Sequence, residues 1–130
     1  MRALVDTNVL VRHLTGDPPA QARRATAMLG GGDELILTDL VFAEVVYVLE
    51  SFYERPRREI ADMSRAMLAH DSILVADHDL LLRAIELYED VRLDFAEAYL
   101  SALAELTGVN RVASFDRRLD RVEGLDRIEP

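Results

Sequence analysis

Apolar residues along this chain recur in two rhythms, short continuous runs and longer stretches at helical spacing, and the alternation between them predicts the order of elements. Arg2–Val5 is a short apolar run that ends in the polar triplet Asp6-Thr7-Asn8; Val9, Leu10 and Leu14 then follow at helical spacing, giving strand, turn and helix. Asp17-Pro18-Pro19 stops that helix, an alanine-rich helical pattern resumes over Ala20–Leu29, and Gly30-Gly31-Gly32 ends it. Leu35–Leu37 reads as a second buried strand. Thr38 or Asp39 caps the helix Leu40–Tyr53, whose apolar positions cover most of its surface and so predict a buried element. Pro56 suits the first turn of a further helix reaching about Leu68. Ser72–Ala76 is a third strand, Asp79–Tyr88 a helix, and Phe95–Leu106 a strongly apolar helix stopped by Gly108. Arg111–Ser114 is a fourth strand, Arg117-Arg118-Leu119 a helical turn, and Asp126–Glu129 a last edge strand. Strands separated by helices predict an α/β fold, with a parallel sheet of four to five strands and helices on both faces.

Composition narrows this picture. A chain of 130 residues fits a single domain spanning residues 1–130, and 50% hydrophobic with 30% charged residues is the balance of a folded protein. Met1–Val5 carries no basic, apolar and small-residue succession of a secretion signal, and no apolar stretch approaches the ~20 residues of a membrane span. The expectation is a cytoplasmic protein with no membrane partner. With no cysteine, thiolate chemistry and sulfur-ligated zinc are excluded; with every one of the fifteen basic residues an arginine, so is any mechanism that needs lysine. The net charge of −9 opposes contact with a phosphate backbone, unless divalent cations held by the carboxylates reverse the local field.

The carboxylates are the candidate chemistry. Ligands gather at the carboxyl ends of strands in parallel sheets, and Asp6 and Asp116 follow the first and fourth strands. Glu44 lies within the apolar run Leu40–Leu49, with no arginine three or four positions away. A buried charge there requires compensation, by a cation or by a tertiary arginine; the alternative is a partly exposed helix-face glutamate. Asp94 and Glu97 open an apolar helix three residues apart on one face, which suits either a capping box or a shared ligand site. Oxygen-only donors drawn from different elements are what Mg²⁺ or Mn²⁺ requires, and two such ions about 3.5–4 Å apart can clamp both oxygens of a phosphodiester hydrolysis.

The ordered set resembles a known family. Asp6-Thr7-Asn8 after the first strand, Glu44 in Leu-x-x-Ala-Glu-Val-x-x-x-Leu, Asp94-Phe95-Ala96-Glu97-Ala98 opening a helix, and Ser114-Phe115-Asp116 after a strand are similar to the successive acidic motifs of PIN domains, especially VapC-type toxins. The resemblance implies a three-layer α/β/α fold and an Mg²⁺- or Mn²⁺-dependent endoribonuclease acting on RNA. It also implies a homodimer and inhibition by a small VapB-like antitoxin. Asp6, Glu44 and Asp116 match the first, second and fourth acidic motifs. The third usually carries an aspartate where this chain has Glu97, and Asp94 can share or replace that role. Thr7, Asn8 and Ser114 would orient carboxylates or waters by hydrogen bonds; Asn8 and Ser114 also suit purely local turns.

Other residues carry weaker signals. His13, His70 and His78 form no ligand spacing and suit surface or core roles. Asp77-His78-Asp79 suits a helix cap, and Tyr47, Phe52 and Tyr53 suit a core or a dimer interface. Arg23, Arg24, Arg55, Arg57 and Arg58 are local basic patches that can meet phosphate or simply face solvent. A dehalogenase-type phosphotransferase would want an aspartate where Asn8 stands and a lysine, and a phospho-receiver would also want a lysine. A non-toxin PIN nuclease and a catalytically weak nucleic-acid or protein interaction module are the alternatives to a toxin.

Overall fold

The structure is a computed structural model that describes every residue from Met1 to Pro130, in two compact units, Met1–Ala76 and Asp77–Pro130.

In the first unit the predicted alternation appears as β1 (Arg2–Leu4), α1 (Thr7–Thr15), α2 (Pro19–Leu29), β2 (Glu34–Ile36), α3 (Asp39–Ser51), α4 (Arg57–Ala69) and β3 (Ile73–Leu74). The three strands pair in the order β1-β2-β3, all parallel, with Ala3 opposite Leu35 and Leu35 opposite Ile73. Backbone bonds from Val5 to Ile36 (3.0 Å) and from Leu37 to Leu74 (2.8 Å) carry the ladder one step past the strands, so the chain leaves β1 with its direction fixed at Asp6. Thr38 caps α3 by accepting the Val41 N–H at 3.2 Å, as expected, and Gly16 closes α1 in the left-handed conformation at φ 72°, where a Cβ would be strained.

The predicted burial of α3 needs correction. Phe42, Val45, Val46 and Leu49 are fully buried, whereas Leu40 (73%) and Tyr47 (67%) are exposed on the helix and Phe52 (75%) just beyond its end. A helix packed on one side buries one stripe, however apolar its remaining positions are. Neither Tyr47 nor Phe52 is therefore a core residue; Phe52 instead meets Tyr53 edge to face at 5.0 Å.

The fold also pairs two histidines that their spacing left unrelated. His13, on α1, lies edge-on to His70, just past α4, with ring centroids 6.2 Å apart, and the His13 Nδ1 is 2.8 Å from the Thr26 hydroxyl. Burial, and secondarily the neighbouring His70, lower the His13 pKa from 6.5. A histidine with a lowered pKa favours the fold in its neutral form, so its contribution is complete above pH 6.5 and declines as the pH falls below that value. Urea denaturation at pH 7.5 and 5.5 should therefore show a loss of stability on acidification that is smaller in His13→Gln; an equal loss in the variant would refute this assignment.

The second unit comprises α5 (His78–Glu86), a π-helical turn (Leu87–Val91), α6 (Phe95–Thr107), β4 (Arg111–Ala113), a 3-10 turn (Arg117–Arg121) and β5 (Asp126–Ile128). Asp77 caps α5 by accepting the Leu80 N–H at 3.0 Å, the role its position suggested. The helix expected to end at Tyr88 instead widens into the π turn and closes at Arg92, a left-handed residue at φ 61°. Arg83 ties α5 to α6 through two parallel bonds to Glu105, at 2.8 and 2.9 Å, and this pairing holds the Glu105 pKa below its usual value. Strands β4 and β5 pair in parallel, Val112 opposite Arg127. All five expected strands are present and every pairing is parallel; hydrogen bonding groups them as three and two. The fold class is α/β.

Candidate active site

Asp6 sits where β1 gives way to α1, in an extended conformation (φ −88°, ψ 156°), and its Oδ1 accepts the Thr7 N–H at 2.8 Å. That bond orients the carboxylate at the helix start, where the helix dipole favours negative charge. Thr7 is buried, and its hydroxyl donates to Glu44 Oε2 at 2.6 Å. One threonine thus links the turn after β1 to α3, 37 positions along the chain.

Glu44 itself departs from the expectation of a buried charge. It occupies the exposed face of α3 and is compensated by the Thr7 hydroxyl and by solvent, so desolvation does not by itself demand a cation there. Asn8 is exposed and lines a groove of about 330 Å³ between α1 and α2 with Arg12, Arg24 and Met28.

In the second unit Asp94 stands at the N-cap position of α6 but makes no side-chain cap bond. Glu97, in the first turn of α6, has a fully buried Oε2 with no hydrogen-bond partner. The capping box that Asp-x-x-Glu allows is therefore not built. Asp116 follows β4 through Ser114 and Phe115; its N–H donates to the Ser114 hydroxyl at 3.0 Å, so Ser114 here shapes the turn.

The residue that sequence reasoning missed is Arg118. Its Nε donates to both Asp116 oxygens at 3.1 Å, and its Nη2 donates to Asp116 Oδ2 at 2.7 Å and to Asp94 Oδ2 at 3.0 Å. Asp116 Oδ1 also accepts the Arg118 backbone N–H at 3.0 Å. The guanidinium first, and the backbone N–H next, hold the Asp116 carboxyl down at about 2, and the two aspartates raise the Arg118 pKa in turn. The available signal was the Asp-x-Arg spacing across a tight turn, which let the side chain fold back on its own loop.

Two acids, Asp6 and Glu44, are thus connected through Thr7 in the first unit, and two others, Asp94 and Asp116, share one arginine in the second. In neither unit do three or more His, Asp or Glu side chains form a ready metal cage. Mg²⁺ does not need one, because it binds through one or two carboxylates, retained waters and substrate phosphate. The donor set is all oxygen, Asp94 and Asp116 already converge on a positive centre, and Glu97 holds a buried oxygen without a partner, a costly state that a hard cation relieves. The residues fit a divalent cation.

The chain is an α/β protein with parallel strands and a carboxylate following the first and the fourth of them. More particularly, this chain belongs to the PIN domain family, whose pattern matches residues 3–125. It is also similar to a VapC ribonuclease of Aquifex aeolicus (strain VF5), at 27% identity over 98% of this chain and 96% of the relative.

Proposed function

We propose that this chain is a Mg²⁺- or Mn²⁺-dependent endoribonuclease that hydrolyses RNA phosphodiester bonds as the toxin of a VapBC-type pair. Residues 1–130 would act as one PIN-like domain, a reading supported by a family match that runs through both units. The observation that carries the metal site is the convergence of Asp94 and Asp116 on a single positive group. Asp6, Asp94, Glu97 and Asp116 are the proposed ligands, and Glu44 binds directly or through water. Thr7 holds the Glu44 carboxylate, and Ser114 sets the turn that presents Asp116. When bound, Mg²⁺ or Mn²⁺ supplies the Lewis acid that lowers the pKa of water and offsets phosphate charge. The carboxylates fix where that charge sits, and acidic surroundings exclude RNA from the site until a cation is present. A VapB-like antitoxin and a second copy of the chain are the proposed partners, the latter supported by Leu40 and Tyr47 exposed on α3 and Phe52 exposed just beyond its end.

The test is RNA cleavage by purified protein with Mg²⁺ or Mn²⁺ and after EDTA, alongside melting curves in both conditions. Cleavage should disappear on chelation, and a metal at 100 times its Kd should stabilise the fold by about 2.7 kcal/mol. Cleavage that survives EDTA, or melting indifferent to metal, would overturn the reading.

A further inference from the structure

We infer that Arg118 is an internal cation that occupies the metal's place on Asp94 and Asp116, so that the divalent ion binds only by displacing it. The inference rests on the proposed metal site and adds to it a competitor carried by the chain itself.

An ionised carboxylate offers about four acceptor positions. In Asp116 three Arg118 N–H groups engage both oxygens: Oδ1 accepts the backbone N–H, Oδ2 accepts Nη2, and the single Nε–H is shared between the two. The same Nη2 reaches Asp94 Oδ2, so one guanidinium joins the residue before α6 to the residue after β4. A cation at Asp116 competes with Arg118 for both carboxylate oxygens. A metal–oxygen bond of about 2.0–2.1 Å to one of these oxygens places the ion close to the docked guanidinium, and two positive groups at that separation repel strongly.

The displacement is feasible. The Arg118 side chain is 41% exposed and that of Asp94 is 57% exposed, so the guanidinium can swing into water without a buried charge being stranded. The Asp116 N–H bond to Ser114 involves no Arg118 atom and keeps the turn in shape when the side chain leaves. Free protein is thereby held with its two acids partly neutralised and in position, and the apparent metal affinity is reduced by the fraction of molecules in which Arg118 is docked.

The experiment is calorimetric titration of Mn²⁺ into wild type, Arg118→Gln, Arg118→Lys and the Asp94→Asn/Asp116→Asn double variant at fixed ionic strength. Circular dichroism confirms that each is folded. If Arg118 is docked in roughly 90% of molecules, Arg118→Gln should bind about ten-fold more tightly than wild type, with Arg118→Lys between them because an ammonium keeps the charge but loses the fork. The double variant should lose the site. A second measurement needs no variant: in wild-type protein the Arg118 Nε–H resonance, protected from exchange without metal, should lose that protection at saturating Mg²⁺.

Equal or weaker binding by Arg118→Gln, or an Arg118 resonance indifferent to Mg²⁺, would overturn the displacement while leaving a metal site in place. Absence of binding by every protein would remove the metal site and this inference together.

Discussion

Replacing Asp6 by asparagine is expected to lower kcat/KM for RNA cleavage at least about 100-fold while leaving the melting temperature of the metal-free protein nearly unchanged. Asparagine is as good an N-cap as aspartate, and its amide oxygen can keep the 2.8 Å bond from the Thr7 N–H. The substitution therefore removes a charge and little else. Glu44→Gln is its counterpart on α3, since a glutamine oxygen can still accept the Thr7 hydroxyl that now donates at 2.6 Å. Full activity in either variant, measured at saturating Mg²⁺, would remove that residue from the proposed site. A large fall in melting temperature would instead assign it a structural role.

The largest expected effect on stability is that of Phe42→Ala. Phe42 is wholly inaccessible to solvent on the buried stripe of α3, beside Val45, Val46 and Leu49. Truncating a fully buried phenylalanine costs about 3–5 kcal/mol, through lost transfer energy and the cavity left behind. Domains have only about 5–15 kcal/mol of stability in total. Urea denaturation should therefore show a much lower midpoint, with a similar slope if the transition stays two-state. Leu40→Ala is the control on the same helix: Leu40 is 73% exposed, and the change should fall within about 0.5 kcal/mol. A Phe42→Ala protein within 1 kcal/mol of wild type would mean that the α3 packing is misassigned.

Glu44 and Arg118 mark the limits of what the chain reveals before it is folded. The apolar run around Glu44 announces a helix, yet it cannot say which stripe faces inward, because Leu40 is as apolar as Phe42 and Val45 and Tyr47 brings a large aromatic face. Arg118 looks like a surface residue of a short turn, and the Asp-x-Arg spacing from Asp116 is the one local feature that sets it apart from Arg117. Its bridge to Asp94, 24 positions away, is what only the path of the backbone brings within 3.0 Å. The meeting of His13 and His70 has the same origin.

Local patterning by itself determined the succession of strands and helices, the stops at Asp17-Pro18-Pro19 and Gly108, the Thr38 and Asp77 caps, and the acids that end β1 and follow β4. These follow from steric limits and hydrogen bonds within a few residues. The tertiary structure alone decided that Thr7 holds Glu44, that Asp94 is claimed by Arg118 rather than by its own helix, and that one Glu97 oxygen is buried without a partner. Charge compensation and burial depend on distances through space, and the order of residues along a chain does not contain them until packing sets which elements meet.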